Sequence, residues 1–236
     1  MRCAITISYN GTNYLGSQVQ RETSNTIFGE IENVLHQLGI DSKAIASGRT
    51  DKGVHATGQV FHIDLPTFWK DVYKLSSTLN KMLPNSIRVM NCKLVEKNFH
   101  ARYSAKKRTY RYLIKVGNPN PFEEQFVTFI PKLDYKQLKK KIALFIGEHD
   151  FQNFMKMGSE TKSTSRIIYK SFAYKYKDYF VLHFEANGFL RSQIRMMVGA
   201  LLQLSSEQIS QQLSLEKKHK IKPAPSNGLY LAKVKY

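Results

Sequence analysis

A change of hydrophobic period governs the N-terminal part of the sequence. Cys3, Ile5, Ile7 and Tyr9 alternate with Arg2, Ala4, Thr6 and Ser8, the two-residue repeat of a strand with one face buried. After the turn residues "NGTN" the spacing lengthens. Ile27, Phe28, Ile31, Val34, Leu35 and Leu38 fall on one helical face, with Ser24 or Asn25 to cap the helix and Gly39 to stop it. "QVFHIDL" returns to strand spacing, Val72, Leu75, Leu79, Met82 and Leu83 make a second helix ended by Pro84, and "SIRVMNCKLV" is a further strand. A chain that alternates between these periods is committed to amphipathic helices laid on a sheet, an α+β arrangement.

From about residue 99 the order resembles a second such half. Tyr110, Tyr112, Ile114 and Val116 alternate as a strand, and Tyr135, Leu138, Ile142 and Phe145 form a helical face that Gly147 would end. A hairpin around Lys177 and Asp178 joins "SFAYKY" to "YFVLHFEA", a helix carries Ile194, Met197, Val198, Leu201 and Leu202, and "LYLAKVKY" closes with a strand. The expected division is 1–98 and 99–236, with no Pro-, Gly- or Ser-rich linker between.

Charge narrows the class of partner. The 236 residues hold 36 Lys and Arg against 18 Asp and Glu, a net charge of +18, so a polyanion is the natural ligand and nucleic acid the first choice. Cys3 and Cys92 make neither a CxxC pair nor a disulfide framework, which fits a reduced, cytoplasmic setting. No apolar run reaches membrane-spanning length, and the N-terminus lacks the apolar region of a secretory signal, so no membrane partner is expected. The seven histidines show no ligand spacing, and no P-loop or GxGxxG occurs. Neither metal nor organic cofactor is implied.

Three segments carry candidate chemistry. "GRTDKGVHATGQV" places Asp51 between Arg49 and Lys52, inside a glycine-rich loop. Alone, such an Asp reads as a turn residue. Yet the flanking cations favour the charged carboxylate, which suits a nucleophile or an electrostatic stabiliser and is poor for a general acid. A carboxylate in a nucleic-acid groove also repels phosphate, so it needs a task. "FHARYSAKKRTYRYLI" interleaves Arg102, Lys106, Lys107, Arg108 and Arg111 with Tyr103, Tyr110 and Tyr112. That is either a phosphate-and-stacking surface for single-stranded RNA or a strand with one basic and one aromatic core face. In "NGFLRSQIRMMVGALL", Arg191 and Arg195 lie four apart, the spacing of one helical face, where an arginine could meet a buried anion such as Asp51.

Taken together and in this order, these segments resemble the tRNA pseudouridine synthase A (TruA) family. "GRTDKGVHATGQV" is similar to its catalytic loop, "FHARYSAKKRTYRYLI" to its Arg-Tyr-Ser and Tyr-Arg-Tyr segment, "GEHDFQNF" to its Gly-Glu-His-Asp-Phe element and "GFLRSQIRMMVGALL" to its basic helix. The opening "ISYNGTNYLGSQVQ" and the closing "APSNGLYLAKV" match more weakly. The resemblance covers nearly the whole chain. It implies two ferredoxin-like (RRM-like) halves with fused antiparallel sheets and a basic cleft between them, a homodimer, and isomerisation of uridine in the anticodon stem-loop of tRNA without metal or organic cofactor. Carried over by position, Asp51 is the catalytic carboxylate, Arg49 helps hold the loop and the RNA, Tyr110 sets its ring against the target base, and Arg195 pairs with Asp51. Arg102, His55, Gln59 and Leu229 fall in matching segments without an assigned step.

Departures from the family pattern are local: Ser17 stands at a position usually held by tryptophan, Arg191, Ser192 and Gln193 replace an aromatic or histidine followed by methionine, and Ser226 stands where a second proline is common. The competing reading is a non-catalytic RNA-binding or tRNA-chaperone protein of the same fold, in which Asp51 does nothing. A metal-dependent nuclease is disfavoured by the lack of clustered carboxylates.

Overall fold

Strand β1 (Arg2–Tyr9) buries Cys3, Ile5, Ile7 and Tyr9 and leaves the residues between them half-buried, as its alternation requires. The computed structural model describes residues 1–156, 158 and 161–236. These divide into two compact units, Met1–Lys106 with Leu231–Tyr236, and Lys107–Tyr230.

In the first unit β1 lies between two antiparallel neighbours, β3 (His55–Asp64) and β4 (Ile87–Val95), with Ile5 opposite Phe61 on one side and Cys92 on the other. The two-residue β2 (Ile45–Ala46) pairs with β3. Helix α1 (Ile27–Gln37) buries Ile27, Phe28, Ile31, Val34 and Leu35, and the Phe28 ring meets Phe61 edge-on at 5.5 Å. Each such side chain contributes roughly 1.5–3 kcal/mol on leaving water. The cap is Thr26 rather than Ser24 or Asn25, its hydroxyl accepting from Gly29 N–H at 3.0 Å. The Asn25 carbonyl accepts from Leu15 N–H and its amide donates to Asn13, and the Ser24 carbonyl accepts from Thr26 N–H. Helix α2 (Val72–Met82) is capped by Asp71, packs Leu75 and Leu79 inward and stops before Pro84.

The second unit is built on β5 (Lys107–Val116), to which the short β6 (Thr128–Ile130) is parallel. Helix α3 (Tyr135–Ala143) ends at Leu144, and Gly147, at φ +113°, opens the strand β7 (Gly147–Asp150) instead of ending the helix. β8 (Ser165–Tyr176) and β9 (Tyr179–Ala186) form the expected hairpin, with Lys177 at φ +52° in its turn. The strands run β5, β9, β8, β7, each antiparallel to the next. Helix α4 (Gln193–Gln203) begins later than its spacing suggests. Ser192 has the left-handed φ of +58°, which puts Arg191 in the preceding turn and off the helical face of Arg195. A further helix, α5 (Ser206–Leu213), opens on a reciprocal Ser205–Gln208 capping box.

The last strand, β10 (Leu229–Lys235), starts in the second unit, and Leu231–Tyr236 belongs to the first. There the Ala232 carbonyl approaches Gly58 so closely that a Cβ would overlap it. Among the described residues no helix is long and apolar enough to cross a membrane.

One titration in the first unit has a defined sign. His62 is buried, accepts from Ala101 N–H at 3.1 Å and lies near Arg2 and His100. Burial first, and the charge of Arg2 after it, hold its pKa below the ordinary 6.5. The unfolded chain therefore takes up this proton before the folded one, and stability falls as pH drops through about 6.5. Asp64, held low by its hydrogen bonds from Arg2, adds a loss only below its ordinary 3.8. The urea midpoint should fall between about pH 7.5 and about pH 5; a flat midpoint there contradicts a neutral buried His62.

Candidate active site

Asp51 lies in the loop between β2 and β3, and the residue before it is held by backbone and side chain together. Thr50 N–H donates to Ser17 Oγ at 2.8 Å, its carbonyl accepts from Ser17 N–H at 3.1 Å, and its hydroxyl shares a hydrogen bond with Tyr9 OH at 2.8 Å. Ser17, Tyr9 and Thr50 are 1%, 4% and 7% exposed, so these bonds form out of water. A buried group that loses its partner there costs about 1–3 kcal/mol. Burial pushes the Tyr9 phenol up to about 12, against the opposing pull of its hydrogen bonds, so Tyr9 is a neutral brace and not a base.

Gln59 holds the start of the loop. Its Oε1 accepts from Ser47 Oγ at 2.6 Å and from Val60 N–H at 3.1 Å, and its Nε2 donates to the Gly48 carbonyl at 2.8 Å. Beyond Asp51 the chain turns through Gly53 at φ +75°, and Val54 N–H donates to the Asp51 carbonyl at 3.1 Å. His55 is buried and accepts through Nδ1 from Gly11 N–H at 3.1 Å. Gly11 has no room for a Cβ, because the Val54 carbonyl would overlap it.

The "NGTNYLGSQ" segment is thus a clamp on the Asp51 loop, and α1 fixes the clamp. Ile27 N–H donates to the Gly16 carbonyl at 3.2 Å and Phe28 N–H to the Ser17 carbonyl at 2.9 Å, so two amides of the helix's first turn, which have no partner inside the helix, end on the residues that hold Thr50. Gly16 itself sits at φ +118° with the Thr50 carbonyl 3.1 Å from where a Cβ would be. Asp51 is half-buried, while Arg49 and Lys52 on either side are exposed.

In the second unit Tyr110 faces inward from β5, 8% exposed, with the Phe189 ring edge-on at 5.2 Å. Arg195 stands in the first turn of α4. Its Nε donates to the Ala224 carbonyl at 2.8 Å, and Ala224 N–H donates back to the Arg195 carbonyl at 2.9 Å. The 221–228 segment is docked further along α4: Gln203 exchanges hydrogen bonds with both backbone groups of Lys222 at 2.7 and 3.1 Å. Gly199 supplies the close approach, since a Cβ there would overlap the Lys222 carbonyl. Tyr112 OH ties in the other end, bonding Thr128 Oγ1 at 2.7 Å and the Pro225 carbonyl at 2.9 Å. Tyr112 is a core residue, so of the three tyrosines in the basic segment only Tyr103, 76% exposed, is openly presented. Arg102, also exposed, sits 5.6 Å over the Tyr103 ring, and Leu229 is buried.

The first unit therefore gathers Asp51, Arg49, His55 and Gln59 around one loop, and the second holds Tyr110, Arg195 and Leu229. Tyr9, Ser17 and Thr50 were not read as functional from the sequence. Among the described residues no group of three or more His, Cys, Asp or Glu could hold a metal ion.

The family model described as tRNA pseudouridine synthase matches residues 5–104 and 142–236. The chain belongs to this family. A tRNA pseudouridine synthase A of Wolinella succinogenes is 37% identical over 98% of this chain and 92% of its own length. Those of Campylobacter jejuni strain RM1221 and Phytoplasma mali are 34% identical over 100% of both chains and 36% identical over 98% and 97%. The loop of Asp51 and its Ser17 clamp both lie within the first matched stretch, the 221–228 segment and Arg195 within the second.

For a synthase of this family the clamp has a direct consequence. Ser17→Ala should leave Thr50 N–H buried without its acceptor, lowering stability by roughly 1–3 kcal/mol. It should also cut kcat about tenfold with KM little changed, because the loop loses definition rather than RNA contacts. Ser17→Thr restores the acceptor and should recover most of kcat. Urea unfolding and steady-state turnover measure both, and an alanine variant with unaltered kcat contradicts the positioning role.

Proposed function

We propose that the protein isomerises uridine to pseudouridine in the anticodon stem-loop of tRNA, with Asp51 as the catalytic carboxylate and Arg49, Tyr110 and Arg195 as substrate-binding residues. The observation that carries this reading is the pinning of Thr50 by Ser17 and Tyr9. A carboxylate one residue beyond a buried, doubly held peptide has a defined position, which catalysis at one atom demands. The net charge of +18 supports a polyanionic substrate.

The reaction breaks the bond between C1′ and N1, turns the base, joins C1′ to C5 and releases the C5 proton while N1 takes one up. Atoms and oxidation state are unchanged, so the step needs no redox cofactor. As N1 leaves, positive charge grows at the anomeric carbon, and an ionised carboxylate stabilises it or bonds to it, as in retaining glycosidases. The uracil leaves as a resonance-stabilised anion, so no second acid is required. Asp51 supplies the carboxylate, and Arg195, anchored through Nε to Ala224, is a substrate-binding cation.

Extruding the uridine from a stem costs a few kcal/mol, which cation-to-phosphate contacts offset. Tyr110, backed edge-on by Phe189, is the ring against the extruded base. The protein acts in the cytoplasm and as a homodimer, a state that sedimentation equilibrium reads directly.

Asp51→Asn keeps the side chain's size and removes its charge. It should lower turnover by at least about a thousandfold while leaving tRNA affinity unchanged or slightly raised, since one repulsive charge is gone. Carbodiimide mapping of pseudouridine and filter binding measure the two. Pseudouridine formed by Asp51→Asn at the unsubstituted rate would remove Asp51 from the chemistry.

A further inference from the structure

A tyrosine exposed singly is ordinary on a protein surface. Tyr103 differs in what stands beneath it. The turn 99–104 follows β4 in the first unit, and its inner residue Ala101 is fully buried. Ala101 N–H donates to Nδ1 of the buried His62 at 3.1 Å, and its carbonyl accepts from Tyr236 OH at 3.0 Å. His100 ties the rest of the turn to itself. Its Nδ1 accepts from Arg102 N–H at 3.2 Å and from Tyr103 N–H at 3.3 Å, its carbonyl accepts from Ser104 N–H at 2.8 Å, and its own N–H donates to Ser104 Oγ at 3.0 Å. The backbone that carries Tyr103 is therefore fixed.

The side chains are ordered in the same way. The His62 ring centre lies 5.0 Å from that of His100, and His100 lies 4.4 Å from Tyr103 with 36° between the planes. Phe99 meets His62 edge-on at 6.1 Å and Tyr236 at 4.8 Å. A column of rings thus rises from the core, where His62 is 2% exposed, to the surface, where Tyr103 is 76% exposed. A ring backed by other rings has little freedom left to lose when a ligand stacks on it. A cation comes with the column, since the exposed Arg102 guanidinium stands 5.6 Å over the Tyr103 ring.

We propose that Tyr103 and Arg102 form a stacking site for an unpaired base of the RNA, other than the base assigned to Tyr110. An aromatic face held from beneath, with a guanidinium beside it, suits an unpaired nucleotide: the ring takes the base and the cation its phosphate. Stacking makes no hydrogen bonds to the base edge, so the site accepts any base and adds affinity rather than sequence choice. A second copy of this chain carries the same net charge of +18 and matches a ring bearing a cation less well than a polyanion does. This inference rests on the reading of the substrate as RNA and not on the reaction.

The test is tRNA binding by the full-length protein with Tyr103→Ala and Tyr103→Phe. Tyr103→Ala should weaken binding about tenfold and leave the slope of log K against log salt unchanged, because a neutral side chain releases no counterions. Tyr103→Phe should keep the affinity. In turnover, Tyr103→Ala should raise KM by the same factor with kcat little changed. A measurement on the unsubstituted protein needs no variant to fold: an oligouridylate containing 4-thiouridine, irradiated in its complex, should crosslink to Tyr103. A folded Tyr103→Ala with unaltered tRNA affinity overturns the site and leaves the proposed reaction standing, as do crosslinks that fall only elsewhere. Weaker self-association of Tyr103→Ala at sedimentation equilibrium, with tRNA affinity unchanged, overturns it in favour of a contact between copies. A tenfold loss of affinity with an unchanged slope, in a protein that makes no pseudouridine, upholds the site and removes the reaction instead.

Discussion

The amide of Thr50 donates to the Ser17 hydroxyl in a place closed to water, and the Ser17 backbone is in turn engaged on both sides, by the Thr50 carbonyl and by Phe28 at the start of α1. Moving the Asp51 loop away from this position therefore breaks at least two buried hydrogen bonds at once and unsettles a helix terminus as well. The small hydroxyl lets the loop backbone come within direct bonding distance of the clamp. What the family pattern makes a departure, serine where tryptophan is usual, is in this chain a polar tie to the residue before the carboxylate. Helix, loop and strand become a single constraint, and Asp51 inherits its precision from it.

Charge sets a second constraint. A chain with twice as many bases as acids repels itself, and a buried or half-buried acid in it is readily matched by a base. Glu185, 4% exposed, is met by Lys107 and Thr109, and Glu123 by Lys115 and Tyr179.

Much of this was legible in the sequence because it is periodic. The switch from alternation to helical spacing located β1, α1, β3, α2 and β4, and the turn residues Lys177 and Asp178 located the β8–β9 hairpin. Features set by distant partners were not. Thr26 caps α1 because Asn25 is occupied by the 13–15 loop, Ser192 delays α4 and separates Arg191 from Arg195, and the Leu231–Tyr236 return to the first unit has no local signature. The strands β2 and β6, two and three residues long, are too short to show a period. At the site the motif announced Asp51, whereas its support comes from residues 9, 17 and 50, which no local spacing connects. Ser205 and Gln208 did carry a readable capping signal for α5.

The account turns on whether this loop performs a carbon–carbon bond formation on uridine. When tRNA carries tritium at uridine C5, joining C1′ to C5 must free that hydrogen to water. The account predicts stoichiometric tritium release from anticodon stem-loop uridines by the unsubstituted protein. A protein that binds the same tRNA tightly and releases none from any tRNA tested would contradict it and leave an RNA-binding protein in its place.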